Sequence, residues 1–145
     1  MNNTLLKVLI VDDDEITCFL NRSILVEQPF VDTILCLPDG AQALEYLKTA
    51  YLSEGAGNGF CPDIIFLDIN MPILNSFELL EEVQNLPGID MRKLFVVLMT
   101  SSMDERDKAR AANYQVDYFL FKPLTSENAL EVIKAYQHKC CPKVH

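Results

Sequence analysis

Acidic residues directly follow two of the most apolar runs in the sequence. The run 7–11 leads into Asp12–Asp14, and the run 63–67 ends at Asp68. Carboxylates held about 4 Å apart repel one another by roughly 4 kcal/mol at an effective dielectric constant of about 20, and a divalent cation relieves that repulsion. An all-oxygen ligand set with room for water and phosphate favours Mg²⁺ over zinc. These residues therefore predict a magnesium site.

A hydroxyl and an ammonium group end two further apolar runs. Thr100 closes the run 94–99, and the segment 118–121 leads into Lys122. Lysine is a point charge suited to an anionic group, and a threonine hydroxyl donates to an oxygen of such a group. An aspartate held between a metal ion and a lysine is a nucleophile toward phosphoryl groups. Each residue type alone is common at turns and helix starts, so the prediction rests on the combination.

The elements that would position these side chains alternate regularly along the chain. Five β-rich runs are separated by segments with helical spacing of apolar residues, which predicts an α/β doubly wound, flavodoxin-like (βα)5 fold with a five-stranded parallel sheet in the order 2-1-3-4-5. Ligands in such sheets bind at the carboxyl ends of the strands, here between the first and third. The predicted strands are Lys7–Asp12, Val31–Leu37, Asp63–Asp68, Leu94–Thr100 and Tyr118–Phe121.

Helix starts carry recognisable signals. Three pairs resemble capping boxes, namely Asp39 with Gln42, Asn75 with Glu78, and Ser102 with Glu105. The fourth helix, predicted over Asp104–Tyr114, is polar and alanine-rich, so we expect it to be loosely packed.

Composition narrows the class of protein. The 145 residues fit one domain, expected to span 1–145 with a core of about 6–137 and no output domain. The net charge of −9 argues against a nucleic-acid-binding surface. Apolar runs are too short for membrane insertion and the first residues lack signal-peptide features, so a cytoplasmic protein is expected.

The five cysteines match no zinc-binding spacing. Cys18 and Cys36 lie in apolar segments, where a thiol behaves as a small hydrophobic group. The adjacent Cys140 and Cys141 have a composition compatible with redox activity, although a tail position without function is the simpler interpretation.

Four motifs together resemble the receiver-domain family of two-component signalling, in its stand-alone, chemotaxis-receiver-like form. The resemblance covers roughly residues 6–137. The segments that carry it are Val8–Asp14, Asp68–Pro72, Val97–Ser101 and Phe119–Pro123.

The resemblance implies a role for each matching residue. Asp68 corresponds to the phosphoacceptor, and Asp12 and Asp13 correspond to the acidic pair, with Asp13 binding Mg²⁺ directly and Asp12 mainly through water. The remaining assignments are the Asn70 main-chain carbonyl as a further Mg²⁺ ligand, Thr100 and Lys122 as phosphate-sensing groups, Phe119 as the aromatic switch with Thr100, and a cis peptide bond before Pro123. Such a protein would receive its phosphoryl group from a sensor histidine kinase or histidine phosphotransfer protein, and would signal to a downstream protein target.

The sequence departs from the family pattern in several loops. Ser76 and Gln115 stand where glycine is usual, and Tyr118 occupies a position that is often acidic. The connection around Gly55–Gly59 is longer than usual. These differences concern loop geometry, because none of them removes a residue assigned to phosphorylation.

Three other interpretations share parts of this pattern. A haloacid-dehalogenase-like Mg²⁺ phosphatase also uses an aspartate nucleophile, but its motif requires Thr or Val where Ile16 stands, four residues after Asp12. A flavodoxin-type module would need a Ser/Thr/Gly-rich phosphate loop after the first strand. A degenerate receiver would bind partners without phosphorylation, which the intact set of acids, Thr100 and Lys122 disfavours.

Overall fold

Five strands and five helices alternate along the chain. The computed structural model describes residues 6–52, 61–69, 74–101 and 105–140. The strands are β1 (Leu6–Val11), β2 (Val31–Leu37), β3 (Ile64–Asp68), β4 (Phe95–Thr100) and β5 (Tyr118–Phe121). The helices are α1 (Glu15–Val26), α2 (Gly40–Leu52), α3 (Ser76–Gln84), α4 (Glu105–Ala111) and α5 (Ser126–Cys140), with a short 3₁₀ turn at Met91–Lys93.

The strands form one parallel sheet in the order β2-β1-β3-β4-β5, which confirms the predicted topology. Every residue of β3 and β4 is buried, whereas the edge strands β2 and β5 are largely half-buried. Central parallel strands are covered by helices on both faces, so their sequences are continuously apolar. That is why the predicted bounds of these strands differ from the observed ones by no more than one residue at either end.

Two apolar cores lie on the two faces of the sheet. Alternate residues of a strand point to opposite faces, so Val8 and Ile10 join one core while Leu9 and Val11 join the other. Residues of α1 and α5 complete the first core, and residues of α2 and α3 complete the second. Helices therefore cover both faces of the sheet, and the polar residues that end the strands lie at its carboxyl edge.

Two helices begin with side-chain caps that the sequence predicted. Asn75 accepts a hydrogen bond from the Glu78 backbone N–H at 3.0 Å, and the Glu78 carboxylate accepts from the Asn75 N–H, completing a capping box. Asp39 accepts from the Gln42 N–H at 2.8 Å, but the Gln42 side-chain amide donates to the Asp39 carboxylate at 3.4 Å instead of capping its backbone. The Ser102–Glu105 pair falls outside the described residues because Ser102 does.

Helix α4 is shorter than predicted. The Asp104 start is outside the described residues, and the helix ends at Ala111 rather than Tyr114. The backbone N–H groups of Asn113 and Tyr114 bond to carbonyls three residues back, at Arg110 and Ala111, which tightens the chain into turns. Ala111 is the buried residue of this helix, in agreement with the expected loose packing.

A tight approach fixes the start of α2 against the loop before α3. A Cβ atom added to Gly40 would clash with the carbonyl oxygen of Leu74. Glycine is therefore required here by proximity of the two backbones.

The carboxyl end of α5 is tied to the amino edge of the sheet, opposite the strand-end acids. The Lys139 ammonium donates to the carbonyls of Met91 and Leu94, each at 3.1 Å, and pairs with Asp117 at 2.9 Å. Asp117 in turn accepts from the Val96 N–H at 2.8 Å. Within the described ranges, no helix is both long and apolar enough to cross a membrane.

Candidate functional site

The carboxyl edge of the sheet carries a compact acidic cluster. Asp12 follows β1 and Asp68 ends β3, and both are buried, at 3% and 8% exposure, while Asp13 is exposed. Carboxylate oxygens of these three residues lie within 4.8 Å of one another. Neighbouring parallel strands end at the same edge, which is why residues 56 positions apart in sequence meet here (68 − 12 = 56).

The donor set of this cluster fits Mg²⁺. Carboxylate oxygens are hard ligands, and Mg²⁺ binds through one or two carboxylates while it keeps several water molecules. Asp13 is exposed, so a metal ion bound to its carboxylate would stay in contact with water. Asn70, the fourth predicted ligand, lies outside the described residues.

Lys122 reaches the same cluster from the segment after β5. Its ammonium nitrogen lies 3.0 Å from Asp12 Oδ2 and 3.3 Å from Asp68 Oδ2. Burial is the largest effect and lowers the pKa of Lys122, but the hydrogen bonds and charges of Asp12 and Asp68 together outweigh it, so the pKa lies above its ordinary 10.5. Three carboxylates and one ammonium leave a formal charge of −2 (−3 + 1 = −2), which a divalent cation would neutralise.

Both oxygens of the Asp12 carboxylate already have protein partners. The Asp14 backbone N–H donates to Oδ1 at 2.9 Å, and Lys122 pairs with Oδ2. Asp14 itself caps α1, accepting from the Ile16 N–H at 3.0 Å and from the Thr17 hydroxyl at 2.9 Å. The capped helix start therefore fixes Asp12 in place, and leaves the neighbouring Asp13 pointing to solvent.

Thr100 and Phe119 lie on adjacent strands near the cluster. Thr100 ends β4 and is buried, and its carbonyl accepts from the Lys122 N–H at 2.8 Å. Phe119 pairs with Leu98 in the register between β4 and β5 and is half-buried. An open cavity of about 260 Å³ adjoins Phe119 between α4 and β5, lined also by Lys108 and Ala111. The peptide bond between Lys122 and Pro123 is cis.

The departures from the family pattern have local explanations. Ser76, in place of glycine, is fully buried as the first residue of α3, and its hydroxyl donates to the Ile69 carbonyl at 3.3 Å. Tyr118 lies on the edge strand with its hydroxyl donating to Glu131 of α5 at 3.1 Å, and Gln115 is exposed in the turn before β5. The Gly55–Gly59 connection lies outside the described residues.

Sequence reasoning missed an exposed apolar face on α1, next to the acidic cluster. Ile16, Phe19 and Leu20 are 70%, 67% and 53% exposed, and their spacing of three and four residues puts them on one side of the helix. The signal was present in the sequence, because α1 has apolar residues on more of its circumference than packing against one core requires.

Comparisons with known proteins agree with this geometry. The family model described as "Response regulator receiver domain" matches residues 8–134. The probable methanogenesis regulatory protein FilR2 of Methanothrix harundinacea is 31% identical over 132 residues, covering 89% of this chain and 81% of that protein. Response regulator Rcp1 of Synechocystis is 27% identical over 130 residues, covering 90% of this chain and 83% of that protein.

Solved structures give the same answer. The crystal structure of a two-component response regulator from Cytophaga hutchinsonii superposes with a TM-score of 0.80 at 34% identity, covering 93% of this chain and 98% of that one. These matches support the signalling interpretation and not the phosphatase alternative. Receiver domains bind Mg²⁺ at an acidic cluster and interact with histidine kinases or phosphotransfer proteins, and Asp12, Asp13 and Asp68 form such a cluster here. The chain therefore belongs to the response regulator receiver domain family and is a response regulator of two-component signalling.

Proposed function

We propose that Asp68 is the phosphoacceptor, and that its Mg²⁺-dependent phosphorylation switches the surface formed by α4, β5 and α5 for protein partners. The observation that carries the proposal is the position of the Asp68 carboxylate, which stands 3.3 Å from the Lys122 ammonium within a cluster that also holds Asp12 and Asp13. This combination offers a nucleophile, a cation for the incoming phosphoryl oxygens and a metal-binding edge in one place.

The accessibility of Asp12 and Asp13 determines the role proposed for each in binding Mg²⁺. Asp13 is exposed and would bind Mg²⁺ directly, whereas Asp12 has both oxygens engaged and would act mainly through water. The main-chain carbonyl of Asn70 is proposed as a further ligand from the family resemblance. When bound, Mg²⁺ supplies positive charge to the phosphoryl oxygens and reduces repulsion from the carboxylates.

Phosphotransfer then needs few movements of protein groups. A carboxylate oxygen of Asp68 attacks phosphorus, a P–O bond forms, and the P–N bond to the donor histidine breaks. The Lys122 ammonium would then pair with a phosphoryl oxygen instead of the Asp68 carboxylate. The Thr100 hydroxyl would donate a hydrogen bond to a second phosphoryl oxygen. The protein is in this proposal a switch that assists its own phosphorylation and its slow autodephosphorylation, and it turns over no separate substrate.

The phosphodonor would dock on α1. The exposed side chains of Ile16, Phe19 and Leu20 adjoin the acidic cluster, which lies just before the helix. A histidine kinase or phosphotransfer protein that covers these apolar side chains would bring its histidine to the carboxyl edge of the sheet. A few well-packed residues near the centre of an interface carry most of its binding energy.

Small phosphodonors test the site without a partner protein. We expect acetyl phosphate with Mg²⁺ to add one phosphoryl group to the intact protein, and expect Asp68→Asn to abolish the addition. Asp13→Asn should abolish the Mg²⁺-dependent phosphorylation. Asp90→Asn, which alters the acid that caps the 3₁₀ turn, serves as the matched control. Intact mass and peptide mapping give the readout. Undiminished modification of Asp68→Asn would refute the assignment, and lack of any modification in the folded wild type would support a degenerate receiver.

A further inference from the structure

Two cysteine side chains line the same cavity beside the candidate site. Cys18 lies on α1 and Cys36 on β2, elements that pack against one another, and both side chains belong to the same apolar core. Both are free thiols. Their positions in the sequence do not indicate a pair, because Cys18 lies in a helix and Cys36 lies in the strand that follows it.

The pair is open to small molecules. Cys18 and Cys36 line a cavity of about 260 Å³ that is also bordered by Asp12, Glu15 and Pro38. A water molecule takes up about 30 Å³ in the liquid, so the cavity admits a molecule the size of a peroxide. A reagent in this cavity therefore has both cysteine side chains among its neighbours.

The surroundings differentiate the two thiols. Cys18 is almost fully buried, whereas Cys36 is half-buried and therefore the more accessible of the two. This difference in exposure favours Cys36 as the attacking group and Cys18 as the group that resolves the product.

We propose that Cys18 and Cys36 are a redox modification site, at which hydrogen peroxide drives formation of a reversible intramolecular disulfide. Cys36 sulfur attacks one peroxide oxygen, the O–O bond breaks, and a sulfenic acid and one water form. Cys18 sulfur then attacks Cys36 sulfur, the S–O bond breaks, and a second water leaves. The two thiols together lose two electrons and two protons, and the peroxide is reduced to two waters. Thiol oxidation of this transient kind is the usual form of disulfide chemistry inside cells.

The disulfide would remove a hydrogen bond to the main chain of Asp12, a residue of the acidic cluster. The Cys18 Sγ lies 3.5 Å from the main-chain oxygen of Asp12 as a hydrogen-bond donor. A disulfide sulfur has no proton to donate, so this contact would be lost. The proposal itself requires no phosphorylation of Asp68, and its test is made on the unphosphorylated protein.

A full-length variant with Cys61→Ser, Cys140→Ser and Cys141→Ser isolates the pair. We expect a modest excess of peroxide to remove two hydrogen atoms from the folded protein by intact mass, and dithiothreitol to restore them. Proteolysis after alkylation should recover a cross-linked peptide that contains Cys18 and Cys36. Circular dichroism before and after treatment verifies that the reacting protein is folded.

Two further variants in the same background identify the roles. Cys36→Ser should show no loss of hydrogen. In Cys18→Ser no second thiol is present to form the disulfide, so Cys36 should be oxidised further and gain oxygen as sulfinic acid. Wild-type protein mapped under the same conditions tests the pair without any substitution. Separate oxygen additions without a cross-link, or reaction of Cys18 with Cys36 that needs denaturant, would overturn the proposal.

Discussion

Lys122 holds two carboxylates of the acidic cluster together through ion pairs of 3.0 and 3.3 Å. The lysine therefore offsets part of the charge that attracts Mg²⁺, and also presents the cation that would meet the phosphoryl group. These two roles have opposite consequences for metal binding and for phosphotransfer, so one substitution separates them.

We predict that Lys122→Met strengthens Mg²⁺ binding several-fold while it lowers the rate of phosphorylation by acetyl phosphate at least tenfold. Removal of the ammonium makes the cluster more negative, and the phosphoryl oxygens lose a partner; a tenfold change corresponds to about 1.4 kcal/mol. Calorimetry measures the metal affinity and intact mass measures the rate. Lys134→Met, on the exposed side of α5, is the control. Weaker Mg²⁺ binding in Lys122→Met would contradict the electrostatic argument.

The cap of α1 contributes a pH-dependent term to stability. The pKa of Asp14 lies below its ordinary 3.8, chiefly because the Thr17 hydroxyl donates to its carboxylate, and the Ile16 N–H adds to the effect. A lowered folded-state pKa means that the stabilisation is fully present above pH 3.8 and is lost as the pH falls through the folded-state pKa.

We therefore predict that Thr17→Val lowers the free energy of unfolding at neutral pH, and that its difference from wild type shrinks toward zero in acid below the ordinary pKa of Asp14. Urea unfolding followed by circular dichroism at neutral pH and at about pH 3 measures the difference. Ser23→Ala on the same helix should show a difference that does not vary with pH. A constant difference for Thr17→Val would remove the Asp14 hydrogen bond from the explanation.

At the residue scale, the sequence predicted the polar residues that end strands and missed those brought together by packing. Asp12, Asp68, Thr100 and Lys122 were identifiable because each follows an apolar run, and parallel strands share a carboxyl edge. The pairing of Cys18 with Cys36 depends on how α1 lies on β2, which the sequence pattern does not specify. The assigned roles of the individual residues stay predictions until the variants are measured.

At the scale of elements, the boundary of a helix was harder to predict than the existence of a strand. The strands of the sheet interior are apolar throughout because both faces are covered. Helix α4 has little apolar patterning, so nothing in its sequence distinguished the true end at Ala111 from the predicted end at Tyr114. The same weak packing suits a helix that moves.

We predict that beryllofluoride with Mg²⁺ changes amide exchange mainly between Ser101 and Tyr136. A group bound at Asp68 would draw the Thr100 hydroxyl toward it, and Phe119 would turn inward beside β4, shifting a pre-existing equilibrium of α4, β5 and α5. In the unphosphorylated structure Phe119 is half-buried and adjoins an open cavity between α4 and β5. Hydrogen exchange with mass spectrometry gives the readout.

Asp68→Asn is the control for that experiment and should show no response. Changes restricted to the loops around Asp12 and Asp68 would contradict the switch proposal even if beryllofluoride binds. Phe119→Ala tests the ring itself, because it should retain the response near Asp68 and lose most of the response in α4.

At the scale of the whole molecule, the proposed donor surface on α1 and the cavity between α4 and β5 lie in different places. The exposed apolar side chains of α1 lie on the face of the sheet shared with α5, whereas α4 covers the opposite face. A phosphodonor on α1 would therefore leave the cavity between α4 and β5 accessible. This arrangement predicts that donor recognition and phosphorylation chemistry are separable by mutation.

We predict that Phe19→Asp reduces phosphotransfer from an autophosphorylated histidine kinase about tenfold or more, while phosphorylation by acetyl phosphate is unchanged. An apolar contact would be replaced by a charge at the interface, and the few dominant residues of an interface each contribute about 2 kcal/mol or more. The kinase should first be shown to transfer to wild type. Leu130→Asp, an exposed apolar residue on α5, is the control. Equal losses with both donors would place the defect in the phosphorylation site instead.

The anchoring of Lys139 to Met91, Leu94 and Asp117 indicates where a label or a solid support is best joined to the protein. These partners lie at the amino ends of β4 and β5, and β4 is six residues long. At about 3.3 Å per residue, the anchor is roughly 20 Å from the phosphorylation edge. A dye, an affinity handle or a sensor chip joined after α5 would therefore leave the donor surface and the acidic cluster facing away from the support.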